Sequence, residues 1–262
     1  MAALALDFLW ITAALYAGHL AAYFGLGGAV SWWNARHPAR RIQTGRRGEE
    51  RARTEMIQSV KALIPICAMM GAGLALQRHG LTLWPPVEGW AASLGMFAIS
   101  VALFDAWFYW AHRAMHWRPL YRFHRLHHRS LAPTVWSTYS DHPLDAVVHQ
   151  SYLLIAPLVL PIPAAVMIAH RIYDHVNGQI GHSGFEYFAT PTARRPWPLV
   201  CTTFHDQHHE LFHYNYGNFF SIWDRVTGTL HPAYDRKVGA MAAGAAPSSS
   251  RPPHDPPGGV RR

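Results

Sequence analysis

The sequence predicts an all-α integral membrane helical bundle, about three to four spans plus a re-entrant helical hairpin, with a His-rich di-metal site at its cytoplasmic edge. Three observations predict it. Apolar runs long enough to cross a bilayer fill the first half of the chain, separated by an Arg-rich stretch. Histidines crowd the second half: 15 of the 19 lie between His112 and His231. They recur at offsets of three and four, the spacing that aligns side chains on one helical face.

Taken in order, residues 7–33 form an apolar run interrupted only by His19. It has no basic segment before it and is too long for a signal-peptide core, so it reads as an anchor. The polar stretch at 34–61 carries Arg36, Arg40, Arg41, Arg46, Arg47, Arg51 and Arg53. The positive-inside rule puts it on the cytoplasmic side. Apolar runs at 62–77 and 88–111 follow, joined through Pro85 and Pro86, and return the chain to the cytoplasm near His112. Asp105 interrupts the second of these, and a carboxylate in hydrocarbon is costly enough to be a functional hint. A fourth apolar stretch, 146–169, carries Pro157, Pro161 and Pro163. A straight span there would strand the later histidines across the membrane from the earlier ones. A hairpin that dips in and returns keeps them together. Residues 183–204 read as a loop, and the Ala-, Gly-, Pro- and Ser-rich end as a disordered tail.

A formal charge of +8 points to an anionic partner or surface. No nucleic-acid-binding motif is present and the basic run sits between spans, which favours a membrane over nucleic acid. Cys67 and Cys201 are too few for a disulfide framework and fit as small apolar residues. High Ala and Arg content and the lack of a retrieval motif fit a bacterial inner membrane, with the metal site facing the cytoplasm.

The chemistry lies in three histidine clusters. His112 and His116 are four apart at the end of a span. His124, His127 and His128 follow as H-x2-H-H, and His205, His208 and His209 repeat that pattern. Within each triplet the first and third imidazoles share a helical face. The adjacent pair diverges by about 100° on a helix of ~3.6 residues per turn, so one triplet can serve two metals. Eight histidines suit a binuclear site. Imidazole suits a redox metal such as iron, and oxidation of an unactivated lipid C–H bond needs one. Asp105, Asp206, Glu186 and Asp224 are the carboxylates expected to accept from the imidazoles and fix their tautomers. A lone His such as His19, His37, His79 or His254 carries little weight.

The chain resembles the fatty acid hydroxylase / sterol desaturase superfamily of integral membrane di-iron enzymes. The residues that carry the resemblance are Asp105-x3-Tyr109-Trp110-x-His112-Arg113-x2-His116, then Phe123-His124-x2-His127-His128, His142-Pro143 and Gly181-His182-Ser183-Gly184. Thr203-x-His205-x2-His208-His209, Asn215-Tyr216-Gly217 and Phe220-x2-Trp223-Asp224-Arg225-x2-Gly228-Thr229 complete them. The resemblance implies a cytosolic helical cap holding the di-metal site over the membrane, two iron ions held by the eight cluster histidines, with His182 as a ninth ligand, and O2 as co-substrate. Some family members carry a further ligand one turn before His182, where this chain has Gly178. His175, His142 and His213 are the candidates to replace it, and His142 is added to the expected set. Residues 1–87 are then N-terminal spans and basic loop, 88–237 the catalytic domain and 238–262 the tail. The resemblance further implies a lipid hydroxylase or desaturase acting on a sterol, fatty acyl chain or carotenoid, with hydroxylation slightly favoured. No dinucleotide-binding glycine motif or Cys-rich iron–sulfur pattern is present. A separate ferredoxin, cytochrome or reductase is therefore expected to supply electrons. The alternatives are a haem protein, which needs only one or two axial histidines, and a zinc hydrolase, which ordinarily carries a carboxylate within its metal motif, as in H-E-x-x-H.

Overall fold

Thirty-five residues free of proline make the first helix, α1 (Ala2–Arg36). At about 1.5 Å per residue it is ~52 Å long, well beyond a hydrocarbon layer of about 30 Å, so one end must emerge from the lipid. The computed structural model describes residues 1–248. The remainder of the expected tail lies outside the described residues. Helices α2 (Ala52–Arg78) and α3 (Trp90–Met115) follow. With α1 they are the three described helices long and apolar enough to cross a membrane. Leu6, Leu9, Trp10, Ile64, Leu94 and Ile99 stand exposed along them, an apolar surface suited to lipid.

The fourth apolar stretch is a hairpin. Its descending arm is α5 (Pro143–Gln150) and α6 (Tyr152–Val159), and α7 (Ala164–Gly181) returns. Proline begins α5 at the position where a missing N–H costs nothing, and Pro161 and Pro163 flank the turn. That turn hydrogen-bonds to the α2–α3 connection: Leu83 N–H donates to Leu158 O (2.8 Å) and Val87 N–H to Pro161 O (2.9 Å). Gln77 Nε2 donates to Ile162 O at 2.8 Å. The hairpin therefore reaches the level of the far loop, which is deeper than a shallow dip. The 17-residue segment Pro143–Val159 at helical rise spans about 25 Å, close to the thickness of the hydrocarbon.

The cap is built from short helices: α4 (Arg118–His124), α8 (Thr202–Leu211), α9 (Ile222–Thr227) and α10 (Tyr234–Ala242). A 3-10 turn over His127–Arg129 follows α4. The expected loop at 183–204 holds one two-residue antiparallel ladder, pairing Ala189 with Arg194 and Thr190 with Ala193. Helix α10 runs through the boundary expected at 238, because Tyr234, Val238 and Met241 recur at helical spacing and pack on Ile42, Val200 and Phe204.

No seam appears at residue 87. The main core joins Tyr23, Leu63, Ile66 and Met70 to Phe104, Tyr139, Tyr152 and Leu153. Polar contacts reinforce it: the Tyr23 hydroxyl and Ser59 Oγ both donate to Trp136 O (2.7 and 3.1 Å). Buried Glu55 accepts from Ser137 Oγ at 2.7 Å. The first two spans thus clamp the loop at 130–140 that follows the first His triplet.

Candidate metal centre

Four segments bring the histidines together. His112 is on α3 and His116 at its C-terminus. His124, His127 and His128 come from α4 and its 3-10 turn, His182 from the end of α7, and His205, His208 and His209 from α8. They fall into two groups. One holds His112, His116, His124, His128 and His208, the other His127, His182, His205 and His209. Each group's candidate donor atoms lie within 4.8 Å of one another. Both adjacent pairs, His127–His128 and His208–His209, are split between the groups, as their divergence around a helix predicts.

The tautomers are fixed from outside. Nδ1–H of His112 donates to Tyr216 O (2.9 Å), that of His208 to Tyr214 O (2.6 Å) and that of His182 to Gly178 O (2.8 Å). His124 Nδ1–H donates to Asp145 Oδ2 at 2.8 Å, and His127 Nδ1 lies 2.8 Å from Asp141 Oδ1. A proton on Nδ1 leaves a lone pair on Nε2, and the Nε2 atoms converge. His128 Nε2 is 3.1, 3.0 and 3.2 Å from Nε2 of His116, His124 and His208. In the second group His209–His205 is 3.1 Å, His205–His182 2.9 Å and His182–His127 3.4 Å. Converging lone pairs repel unless a cation sits among them. Ligands at about 2.0–2.1 Å from one metal are about 3.0 Å apart at right angles and about 3.4 Å apart in a tetrahedron. The residues present therefore fit two metal ions, and an all-imidazole donor set suits zinc, copper, iron or nickel.

Electrostatics agree. Burial, reinforced by neighbouring imidazoles, holds His116, His128, His205 and His209 well below the usual imidazole range. Burial does the same to His208 and takes His182 down to about 3. His124 is lowered by burial too, against the opposing pull of Asp145. All are neutral, and so able to ligate, at pH 7. The unfolded chain takes up protons as pH falls below about 6.5, while the folded chain does not. Stability is therefore complete above that pH and lost below it. Metal-free protein is expected to unfold at a lower temperature at pH 5.5 than at pH 7.5; equal midpoints would contradict these burials.

The four carboxylates expected to hold the imidazoles do other work, and that expectation is corrected. Asp105 accepts from Phe219 N–H and Phe220 N–H (2.7 and 3.1 Å), and Asp224 from Tyr216 N–H and Gly217 N–H (both 2.8 Å). Glu186 accepts from Thr203 N–H (2.8 Å), and Asp206 from Arg46 (2.7 Å). They fasten the backbone around α8 and the 215–220 loop. The acceptors facing the rings are Asp145 and Asp141. Sequence reasoning passed over both because they sit at the mouth of the fourth apolar stretch, where a charge bordering hydrocarbon was the available signal.

His142 lies in neither group. It caps α5, its Nδ1 accepting from Leu144 N–H at 3.2 Å. His175 bonds the Tyr139 hydroxyl (2.8 Å), and the His213 ring packs on Tyr214. A histidine not singled out comes nearer. His149, buried, has its ring centroid 5.4 Å from that of His112 and 5.6 Å from that of His124, and its Nδ1 lies 2.9 Å from Asp145 Oδ1. A chamber of about 80 Å³ touches both groups, walled by Phe108, Thr138, Tyr139, His149 and Gly178.

Fold and site together define a helical membrane protein with a paired all-imidazole centre where its spans meet its cap. The chain belongs to the fatty acid hydroxylase family, whose model matches residues 97–229. It is 35% identical over 149 residues to lathosterol oxidase of Rattus norvegicus, covering 56% of this chain and 48% of that protein. A Delta(7)-sterol 5(6)-desaturase of Gibberella zeae is 29% identical over 188 residues, covering 69% of this chain and 52% of the relative. C-4 methylsterol oxidase of Schizosaccharomyces pombe is 28% identical over 197 residues, covering 68% and 58%. The chain thus spans about half the length of the curated relatives it matches. No solved structure matches it.

Proposed function

We propose that this chain is a membrane-bound oxygenase that holds two iron ions and uses O2 and external electrons to hydroxylate or desaturate a sterol-like lipid. The observation that carries this reading is the convergence of nine Nε2-bearing rings into two adjoining groups beside one chamber. The names of the relatives, all acting on sterols, favour a sterol over an acyl chain or carotenoid. The Arg-rich loop supports a cytoplasmic centre through the positive-inside rule. The bacterial inner membrane rests on composition alone, since the relatives named are eukaryotic.

Bound iron would supply the redox chemistry that activates O2 toward a C–H bond. The nine imidazoles would hold it, five in one group and four in the other. Asp145 accepts from His124 Nδ1–H and Asp141 lies 2.8 Å from His127 Nδ1, an arrangement that would leave both Nε2 lone pairs free for a metal. Phe108 and Tyr139 give the chamber an apolar wall beside the histidines. At about 80 Å³ the chamber has room for two or three molecules of water size. It would admit O2 and the reacting carbon of a lipid. Hydroxylation balances as RH + O2 + two electrons + two protons giving ROH + water. Desaturation uses the same inputs, with the two lipid hydrogens leaving in a second water.

The test is metal analysis of detergent-purified protein, followed by incubation in nanodiscs with a Δ7-sterol, O2 and a reductant. About two irons per chain and a product heavier by one oxygen, or lighter by two hydrogens, are expected. A single zinc or a haem iron, or iron-replete protein inert toward sterols and acyl lipids alike, would overturn the reading.

A further inference from the structure

Among the segments that carry the clustered histidines, α8 is buried almost all round, with only His205 half-buried. The outer faces of α3 and α7 belong to apolar, lipid-facing helices. The α4 segment differs. Its inner side gives His124 and His128 to one group and His127 to the other, so it borders both groups, as buried α8 does, but with an exposed outer side. Its outer side carries Arg118, Arg122, Arg125 and Arg129, all exposed. These positions are spaced by four, three and four residues and run from the start of α4 through its C-cap to the 3-10 turn.

Among the described residues the stripe has no acidic partner; the one internal contact of its guanidinium groups is Arg122 over the Phe123 ring, 4.6 Å to the centroid. Ion pairs of the described residues engage Arg41, Arg46, Arg51, Arg78, Arg171 and Arg225, and none of these four. Like charges four apart on a helix are destabilising, and Arg118 begins α4, where the helix dipole disfavours a cation. A locally unfavourable, uncompensated pattern is the signature of a functional surface. The reaction proposed above needs two electrons from outside, and no cofactor-binding motif in this chain supplies them. A carrier on the outer face of α4 would be separated from both histidine groups by about one helix diameter, ~10 Å.

We propose that Arg118, Arg122, Arg125 and Arg129 form the docking surface for an acidic, one-electron carrier protein, which delivers electrons through the α4 segment. The proposal rests on the di-iron reading. Two encounters each deliver one electron, the carrier being oxidised and the centre reduced. Charge complementarity sets the encounter rate and its salt dependence.

The test uses the iron-loaded full chain in nanodiscs under anaerobic conditions. An acidic plant-type [2Fe–2S] ferredoxin, chemically reduced, serves as the probe, and reduction is followed by stopped-flow absorbance. The double variant R122E/R125E is expected to slow reduction by ferredoxin about tenfold or more at low salt and to flatten its salt dependence. Reduction by dithionite, iron content and thermal midpoint are expected to stay as in the parent. R47E, on the exposed basic loop, controls for net charge and is expected to change the rate less than about twofold. Binding of oxidised ferredoxin, measured separately, is expected to weaken in the double variant alone. Reduction of R122E/R125E at the parental rate would overturn the docking proposal. So would a defect that appears only in phosphatidylglycerol and vanishes in phosphatidylcholine nanodiscs, since the stripe would then serve anionic headgroups. Failure of both ferredoxin and dithionite to reduce the parent would strike instead at the di-iron reading.

Discussion

Replacing His128 by alanine is expected to remove the metal of the five-histidine group and to lower lipid oxidation by more than about 100-fold. His128 Nε2 is the hub of that group, within 3.0–3.2 Å of three other Nε2 atoms. Loss of an outer partner of a metal ligand already costs 10–100-fold in affinity or activity, and loss of the ligand itself costs more. The second group, His127, His182, His205 and His209, keeps all its donors. The variant should therefore fall from about two metals per chain to about one. H142A is the matched control: its ring lies in neither group and caps a helix, so metal content is expected to stay and turnover to change less than threefold. Elemental analysis and turnover on the same preparations decide. Two metals and parental activity in H128A, or loss of metal in H142A, would overturn the assignment.

Much of this centre is legible from residue order. The offsets 112/116, 124/127/128 and 205/208/209 are helix-face arithmetic, and helix geometry is local. The hairpin was legible for a different reason: topology demanded that histidines before and after residues 146–169 meet on one side. Partners that depend on tertiary approach were not legible. Asp105 and Asp224 looked like supports for the rings because they lie near the motifs in sequence. The fold turns them instead toward the N–H groups of 216, 217, 219 and 220. Asp224 still reaches the metal centre at one remove, since the Tyr216 backbone it fixes accepts from His112. The packing across residue 87 was not legible for a similar reason. Apolar composition marks a span but does not say what the span packs on, and α1 and α2 pack on the cap loop through Tyr23, Glu55 and Ser59.

Asp145 ties the hairpin to the metals, and D145N is expected to lower metal affinity 10–100-fold without unfolding the chain. One carboxylate oxygen accepts from His124 Nδ1–H at 2.8 Å, and the other lies 2.9 Å from His149 Nδ1. An amide of the same shape offers one acceptor oxygen and one NH2 group. Whichever way it turns, one of the two imidazoles meets a donor. If that ring is His124, its proton shifts to Nε2 and occupies the lone pair that faces the metal. If it is His149, a ring walling the chamber reorients. Competition with a chelator at pH 7.5 measures the affinity, and the thermal midpoint of the metal-free form reports on the fold. D105N, which weakens acceptance from Phe219 N–H and Phe220 N–H, separates the two effects. It is expected to lower the midpoint of the metal-free form and to leave the chelator competition of the folded protein within about threefold. A D145N protein that releases metal no faster than the parent would show that backbone carbonyls alone suffice to orient these rings.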